Sequence, residues 1–161
     1  MSNPKKLLAI SAVLLTVSSG IMAVYAKTGS GEVDVSEPLA YVRIFCDADG
    51  TSHFSDEVIP FTLIDYAPPA PPVSVSTAMD AESVVLLSSP PGWHGDWHPA
   101  PRRQLMFLLS GELEVEVSDG EVRRFTSGAV TLVEDTSGRG HVSRVVSEER
   151  IYMAAIPLNA E

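Results

Sequence analysis

Short apolar segments separated by turns fill the second half of the chain. Between positions 104 and 156 they read QLMFLLS, ELEVEVS, EVRRF, AVTLVE, HVSRVVS and RIYMAAI, and most of the intervening turns contain glycine. In ELEVEVS apolar and acidic residues alternate strictly, which is the period of a strand with one buried face. Several short strands joined by tight turns are typical of an antiparallel barrel or sandwich. The pattern therefore predicts an all-β protein.

The preceding part of the chain also consists of extended segments. LAYVRIFC (39–46) is a β-branched and aromatic run that ends in the turn sequence DADG, and VIPFTLIDY (58–66) is a second extended piece. APPAPPV (67–73) is rich in proline, which favours an extended connector. SVVLLSS (83–89) predicts a strand, and PPGWHGDWHPAP (90–101) predicts a loop with unusual aromatic and histidine content.

The first 26 residues have the layout of a secretory signal peptide. Two lysines at positions 5 and 6 precede an uncharged, mainly apolar stretch from Leu7 to Ala26, and Val24-Tyr25-Ala26 forms a cleavage site. Without cleavage, the same stretch is long enough to anchor the chain in a membrane. We expect cleavage and hence a secreted or periplasmic protein. The alternative is a membrane-anchored protein whose domain lies outside.

The rest of the chain divides into a flexible linker at 27–38, which is polar and acidic, and a single domain at 39–161. Apolar residues make up 45% of the sequence, which is enough for a core and excludes a wholly disordered chain. The net charge of −10 argues against nucleic acid as a partner, because phosphate binding needs a basic face. Cys46 is the only cysteine, so an internal disulfide and a cysteine-ligated zinc cluster are excluded.

One constellation of residues points to a family. Gly92, His98, Gln104 and Gly111 stand in the register of the pattern G-x5-H-x-H-x(3,4)-E-x6-G, with Ala100 at the second histidine position and glutamine in place of the glutamate. This pattern is the first motif of the cupins, and the chain resembles that family over about 83–156. The resemblance implies a small jelly-roll β-barrel.

The second cupin motif, G-x5-P-x-G-x2-H-x3-N, is matched at its end. Gly138 and His141 keep the G-x2-H step, whereas Thr136 stands for the proline, two residues further from Gly128 than usual, and Val145 occupies the asparagine position. The chain therefore departs from the cupin pattern in both motifs.

Cupin metal sites hold three histidines and a carboxylate, a donor set that suits Fe, Mn, Ni or Zn. In this chain the resemblance places His98, Gln104 and His141 at such positions, and His94, four residues before His98, is a candidate replacement for the missing histidine. The alternative is that His98 closes the mouth of the barrel, that His141 is a hydrogen-bonded core residue, and that no metal is held.

A site without metal has its own candidate residues. By strand alternation Arg102 and Gln104 face the same side, so Arg102 either binds an acidic ligand at the pocket mouth or pairs with a surface acid. Trp93 and Trp97 either stack on a ligand or plug the end of the barrel. Glu134 and Asp135, at the end of a strand, are pocket acids or partners of nearby arginines.

These observations predict an exported cupin-like protein that binds a small polar molecule in its pocket. The alternative is a divalent-metal-dependent enzyme of dioxygenase or isomerase type acting on a small organic acid or sugar. A homodimer formed through an outer sheet is a further expectation. Motifs for serine nucleophiles, phosphate loops and HExxH zinc sites are absent from the sequence.

Overall fold

The computed structural model of the protein describes residues 37–159. The predicted signal peptide and nearly all of the predicted linker lie outside this range. Every regular element within the range is a strand, so the all-β prediction is confirmed, and no helix between 37 and 159 is long and apolar enough to cross a membrane. The eleven strands, in chain order, are β1 (Leu39–Cys46), β2 (Ser52–Ile59), β3 (Thr62–Ile64), β4 (Val73–Val75), β5 (Val85–Ser89), β6 (Gln104–Ser110), β7 (Glu112–Val117), β8 (Val122–Thr126), β9 (Val130–Val133), β10 (His141–Val145) and β11 (Ile151–Pro157).

The strands form two main sheets and a small hairpin. Six strands pair in the order β2-β1-β9-β6-β11-β5, three pair as β10-β7-β8, and β3 pairs with β4. All neighbours are antiparallel except β1 and β9, which run parallel with Val42 beside Thr131. The turns predicted from glycine join β6 to β7 at Gly111 and β7 to β8 at Gly120, both at positive φ, where a residue without Cβ is favoured.

The core lies between the two main sheets. Ile44 and Leu108 from the six-stranded sheet belong to one buried cluster with Val115, Val117 and Phe125 from the three-stranded sheet. Val115 and Val117 are buried as the alternation in ELEVEVS predicts, while Glu114 and Glu116, which alternate with them, lie on the opposite face of the strand. Burial of these apolar side chains is the main favourable term that holds the sheets together.

Closure into a barrel is not seen in the backbone pairing of residues 37–159. The six-stranded and three-stranded sheets are separate hydrogen-bonded units, and isolated bridges connect the loop before β6 to β10 at His94–Arg144 and His98–His141. Side-chain packing and a few hydrogen bonds, such as that from Ser118 N to Ser52 Oγ at 2.7 Å, therefore join the two sheets in place of one continuous ladder. The second of these bridges builds the candidate site.

Candidate functional site

A cavity of about 380 Å³ lies between the two main sheets. Most of its wall is apolar, with side chains from both sheets, including Ile44, Leu108, Val115, Phe125 and Met153. This volume is at the lower end of the range found for small-molecule sites, which are generally apolar with a few polar groups. The sequence did not predict that these side chains line a cavity, although strand alternation predicts that they point inward.

The polar groups of the cavity include His98, Gln104 and His141, with Trp93 also on its lining. His141 is the first residue of β10, and His98 lies in the loop that runs beside it. The two residues exchange backbone hydrogen bonds, from His98 N to His141 O at 3.1 Å and from His141 N to His98 O at 3.0 Å. Their rings are consequently close, with centroids 4.8 Å apart.

Gly140 permits this close approach. Its φ is +72°, and a Cβ built on it would lie 2.0 Å from the carbonyl oxygen of His98. Any other residue would push the loop away from β10. The glycine-rich turn before β10 is therefore part of the site, because it lets the backbones that carry the two histidines pair.

A buried carboxylate orients His141. Oδ2 of Asp135 lies 2.7 Å from Nδ1 of His141, and Asp135 has no exposed surface. When that carboxylate is ionised it can only accept, so Nδ1 carries the proton and Nε2 is an acceptor in the neutral ring. Oδ1 of Asp135 has no hydrogen-bond partner among the described residues. The sequence identified Asp135 as a possible pocket acid but did not indicate its pairing with His141.

His98 is held in the same way by a backbone group. Its Nδ1 lies 2.8 Å from the carbonyl oxygen of Asp96, which can only accept. Nδ1 therefore donates, and Nε2 of His98 is also an acceptor in the neutral ring. Both histidines thus have one ring nitrogen engaged with the protein and the other available.

The remaining predicted site residues lie elsewhere. His94 is exposed and bridges to Arg144, and it is not on the cavity lining. Arg102 donates to Glu82 across 2.6 Å, as the surface-pair alternative expected. Trp97 packs under the guanidinium of Arg139, 3.9 Å from the ring centroid. The structure therefore brings together Trp93, His98, Gln104 and His141, and leaves out His94, Trp97 and Arg102.

The donor set of the cavity does not fit a tightly held divalent metal. It offers two imidazoles and the neutral amide of Gln104, whereas Asp135 is buried behind His141 and already bound to it. Within residues 37–159 no three His, Cys, Asp or Glu side chains are grouped so that they could share an ion. Replacing a carboxylate by an amide removes a full charge from the ligand set, which lowers affinity for a divalent cation.

Comparison with known proteins finds solved structures that are similar to this chain. The chain is similar to a cupin domain from Bordetella pertussis, at 22% identity over 48% of this chain and 80% of that one, with a TM-score of 0.40. It is also similar to a Cupin 2 conserved barrel domain protein from Salinispora arenicola, at 20% identity over 63% and 76%, with a TM-score of 0.41.

A conserved protein of unknown function from Streptococcus pyogenes is similar at 20% identity over 48% of this chain, with a TM-score of 0.37, and the chain spans 64% of its length. No family model matches the chain, and no curated protein does. Cupin domains are thus among the structures that this chain resembles. These likenesses say nothing of activity.

Proposed function

We propose that this protein is an exported cupin of the jelly-roll type whose cavity binds a small molecule with an apolar body and one hydrogen-bonding end. The observation that carries the proposal is the pairing of His98 with His141 at a mostly apolar cavity. This proposal departs from the small polar ligand expected from the sequence, because most of the cavity wall is apolar.

The walls favour the apolar body. Leu108, Val115, Phe125 and Met153 line the cavity and offer no hydrogen bonds. Removing apolar surface from water contributes about 25 cal/mol per Å², so a hydrocarbon or aromatic group gains most in such a cavity. A strongly polar ligand such as a sugar would leave many of its groups unpaired there.

The histidines favour a ligand that donates a hydrogen bond. Nε2 of His98 and Nε2 of His141 are acceptors when the rings are neutral, and they are available because each Nδ1 is engaged with the protein. A hydroxyl group, which can donate a hydrogen bond, complements the neutral rings. Gln104 adds an amide that can donate to or accept from the same group.

Binding by matched ligand pairs tests this proposal. Trp93 lines the cavity, so tryptophan fluorescence of the full-length protein can follow titration with small aromatic alcohols and with the corresponding hydrocarbons. We expect the alcohols to bind more tightly, by about 1 kcal/mol for each hydrogen bond made. His141→Leu should reduce that preference, and Val115→Trp should abolish binding of both classes by filling the cavity. Equal affinities for both ligand classes in the unmodified protein would argue against the proposal.

A divalent-metal enzyme is the second candidate. It is favoured by one observation, namely that each Nδ1 is bound by a protein acceptor, as in many metal-ligating histidines. The missing carboxylate weighs against it. Elemental analysis of the full-length protein purified without chelators decides between the two: one equivalent of a transition metal that is lost in His98→Ala supports the enzyme.

A further inference from the structure

Two hydroxyl side chains of the cavity have no part in the binding proposed above. Thr131 of β9 lies on the cavity lining, and so does Ser143 of β10. Thr131 belongs to the six-stranded sheet and Ser143 to the three-stranded sheet, so the two hydroxyls come from opposite walls. Neither hydroxyl has a hydrogen-bond partner among residues 37–159. Both are therefore available to a bound molecule.

In the six-stranded sheet, the register sets the position of Thr131 relative to Gln104. Gln104 pairs with Val133, and Met106 pairs with Thr131. Side chains two residues apart in a strand point to the same face, so Thr131 faces the cavity on the same side of the sheet as Gln104. Thr131 lies two residues further along the sheet than Gln104, toward the end of β6 at Ser110.

The three-stranded sheet displaces Ser143 in the same direction. Ser143 follows His141 by two residues in β10 and pairs with Val115 of β7. β7 begins directly after the turn at Gly111 that ends β6, and β10 runs antiparallel to β7, so the residues after His141 also approach that end. A strand rises about 3.3 Å per residue, which puts the two hydroxyls roughly 6.5 Å beyond the level of His141 and Gln104.

The cavity lining favours an uncharged ligand. None of the described residues on the lining is Asp, Glu, Lys or Arg. A carboxylate or ammonium group would lose its hydration in the cavity and meet no opposite charge while the histidines are neutral, which is unfavourable. A hydroxyl or carbonyl group loses less hydration and can form hydrogen bonds with Ser143 and Thr131, because a hydroxyl both donates and accepts.

The space between the two polar levels favours an aromatic ring. Met106, Met153 and the ring of Phe125 line the cavity, and thioether and aromatic side chains pack well against an aromatic ligand. A ring also holds two substituents at a fixed spacing, so little conformational freedom is lost on binding. The cavity of about 380 Å³ is larger than an engineered cavity of roughly 150 Å³ that holds benzene, which leaves room for a ring with two substituents.

We propose that the ligand is an uncharged aromatic molecule with two polar groups in para positions, one bound by His98 and His141 and the other by Ser143 and Thr131. This inference rests on the proposed function and adds to it a second hydrogen-bonding group and its spacing. The para positions of a benzene ring hold two oxygen-bearing substituents at about the distance between the two polar levels of the cavity. Meta and ortho positions hold them closer together. Para-substituted phenols that carry a hydroxymethyl or an aldehyde group belong to this class.

Titration calorimetry on the full-length protein with ethylbenzene, 4-ethylphenol and 4-hydroxybenzyl alcohol tests the inference. The three compounds have similar size and carry no, one and two hydroxyl groups. Affinity should rise at both steps, and the second step should be about five- to tenfold, because an ethyl group would leave the hydroxyls of Ser143 and Thr131 without partners. 3-Hydroxybenzyl alcohol and 4-hydroxybenzoate should both bind more weakly than 4-hydroxybenzyl alcohol, the first because of its spacing and the second because of its charge.

Variants of the two hydroxyl residues identify the groups responsible. Ser143→Ala combined with Thr131→Val should remove the advantage of 4-hydroxybenzyl alcohol over 4-ethylphenol without weakening the binding of 4-ethylphenol. Thr126→Val is the matched control, since Thr126 is an exposed strand residue of β8 that is not on the cavity lining, and it should keep the full advantage. Circular dichroism checks that each variant keeps its strand content.

The outcomes separate this inference from the proposed function. If 4-ethylphenol binds more tightly than ethylbenzene but 4-hydroxybenzyl alcohol gains nothing more, the second polar group is overturned and the proposed function stands. A gain that persists in the double variant, or tighter binding of the meta isomer or of 4-hydroxybenzoate, overturns the inference in the same way. Equal affinities for ethylbenzene and 4-ethylphenol, or no binding of any of these compounds, overturn the proposed function and the inference together.

Discussion

Three histidines in the part of the chain that the structure describes have ring nitrogens hydrogen-bonded to specific oxygen atoms. His98 is bound to a backbone carbonyl, His141 to one buried carboxylate, and His53 to two carboxylates. The hydrogen-bond partner determines the chemistry of each ring, because an acceptor at one nitrogen decides which of the two nitrogens carries the proton in the neutral ring. His98 and His141 therefore offer an acceptor to the cavity, whereas His53 links two turns of the surface.

His53 should make stability depend on pH. Its ring lies between Asp47 (3.0 Å) and Asp119 (2.7 Å), and hydrogen bonding to Asp47 and then to Asp119 raises the pKa of His53 above its ordinary value. The resulting stabilisation is fully present below the unfolded-state pKa of about 6.5 and is lost as pH rises through the folded-state pKa. Denaturant unfolding between slightly acid and slightly alkaline pH should show a fall that His53→Gln removes.

The hydrogen bond between His53 and Asp47 should also make stability depend on pH in the acid range. The hydrogen bond from His53 is the first cause that lowers the pKa of Asp47, so its contribution is present above the ordinary pKa of that carboxyl and is lost as pH falls through the lowered value. His94→Gln is the control for the acid and the alkaline parts of the pH profile, because no carboxylate partner of His94 occurs in the described range. A pH profile that is the same in His53→Gln and in the unmodified protein would contradict this prediction.

Gln104→Glu should create metal affinity. The change adds a carboxylate to the cavity that holds His98 and His141, and two histidines with one carboxylate form a set that binds divalent transition metals. We expect affinity for Mn²⁺, Ni²⁺ or Zn²⁺ to rise by roughly tenfold or more, measured by calorimetry on the full-length protein. His98→Leu in the same background should remove the gain. If Gln104→Glu only lowers stability and added metal does not restore it, the three side chains do not converge.

At the scale of elements, the loop before β6 and the turn before β10 form one unit. The loop follows β10 through hydrogen bonds from Gly95 N to Ser143 O and from Val145 N to Trp93 O, besides those that join His98 and His141. The loop is thus paired like a short strand, although its sequence is rich in glycine, proline and tryptophan. Pairing of this kind depends on the neighbouring strand rather than on the loop's own residues.

Gly140→Ala should break this unit. The new Cβ would meet the His98 carbonyl at 2.0 Å, which the backbone cannot accommodate without moving. We expect a loss of more than about 3 kcal/mol of unfolding free energy, together with loss of ligand binding. Gly92→Ala is the matched control, since Gly92 has the same φ of +72° and no atom lies within 4 Å of the position that its Cβ would take. This control should cost about 1–2 kcal/mol, the penalty of the left-handed conformation alone. Equal losses in the two variants would show that the contact with His98 is unimportant.

At the scale of the whole molecule, charge and apolar surface are unevenly distributed. Carboxylates on β2 and β7 are engaged by arginines, as Asp56 is by Arg123 and Glu114 by Arg124 at 2.8 Å. The edge at β5 lacks charge altogether. The acidic surface elsewhere repels like-charged molecules, and the edge at β5 contributes nothing to that repulsion.

Export should leave Lys27 as the first residue. Cleavage after Ala26 removes two lysines and no acid, which makes the mature chain more acidic than the full sequence. The intact mass of protein recovered from the medium or the periplasm should therefore correspond to residues 27–161. Recovery only from membranes, with Met1 still present, would instead favour the anchor.

The sequence by itself determined the strand content and the family resemblance. Alternation in ELEVEVS and the turn residues at Gly111 and Gly120 are local signals, and strands formed where they predicted them because side-chain period and turn geometry act over a few residues. The spacing of His98, Gln104 and His141 likewise predicted side chains that the structure places on one cavity.

Only the tertiary structure decided the partners of these residues. The pairing of Asp135 with His141, the pairing of Arg102 with Glu82, and the apolar wall contributed by two sheets all depend on which strands face each other. Separate strands with the same alternation can be arranged in many ways, and their order and register are selected by packing across the whole domain. The chemistry of the cavity follows from this packing, because the hydrogen-bond partner of one histidine nitrogen decides whether the nitrogen that faces the cavity donates or accepts.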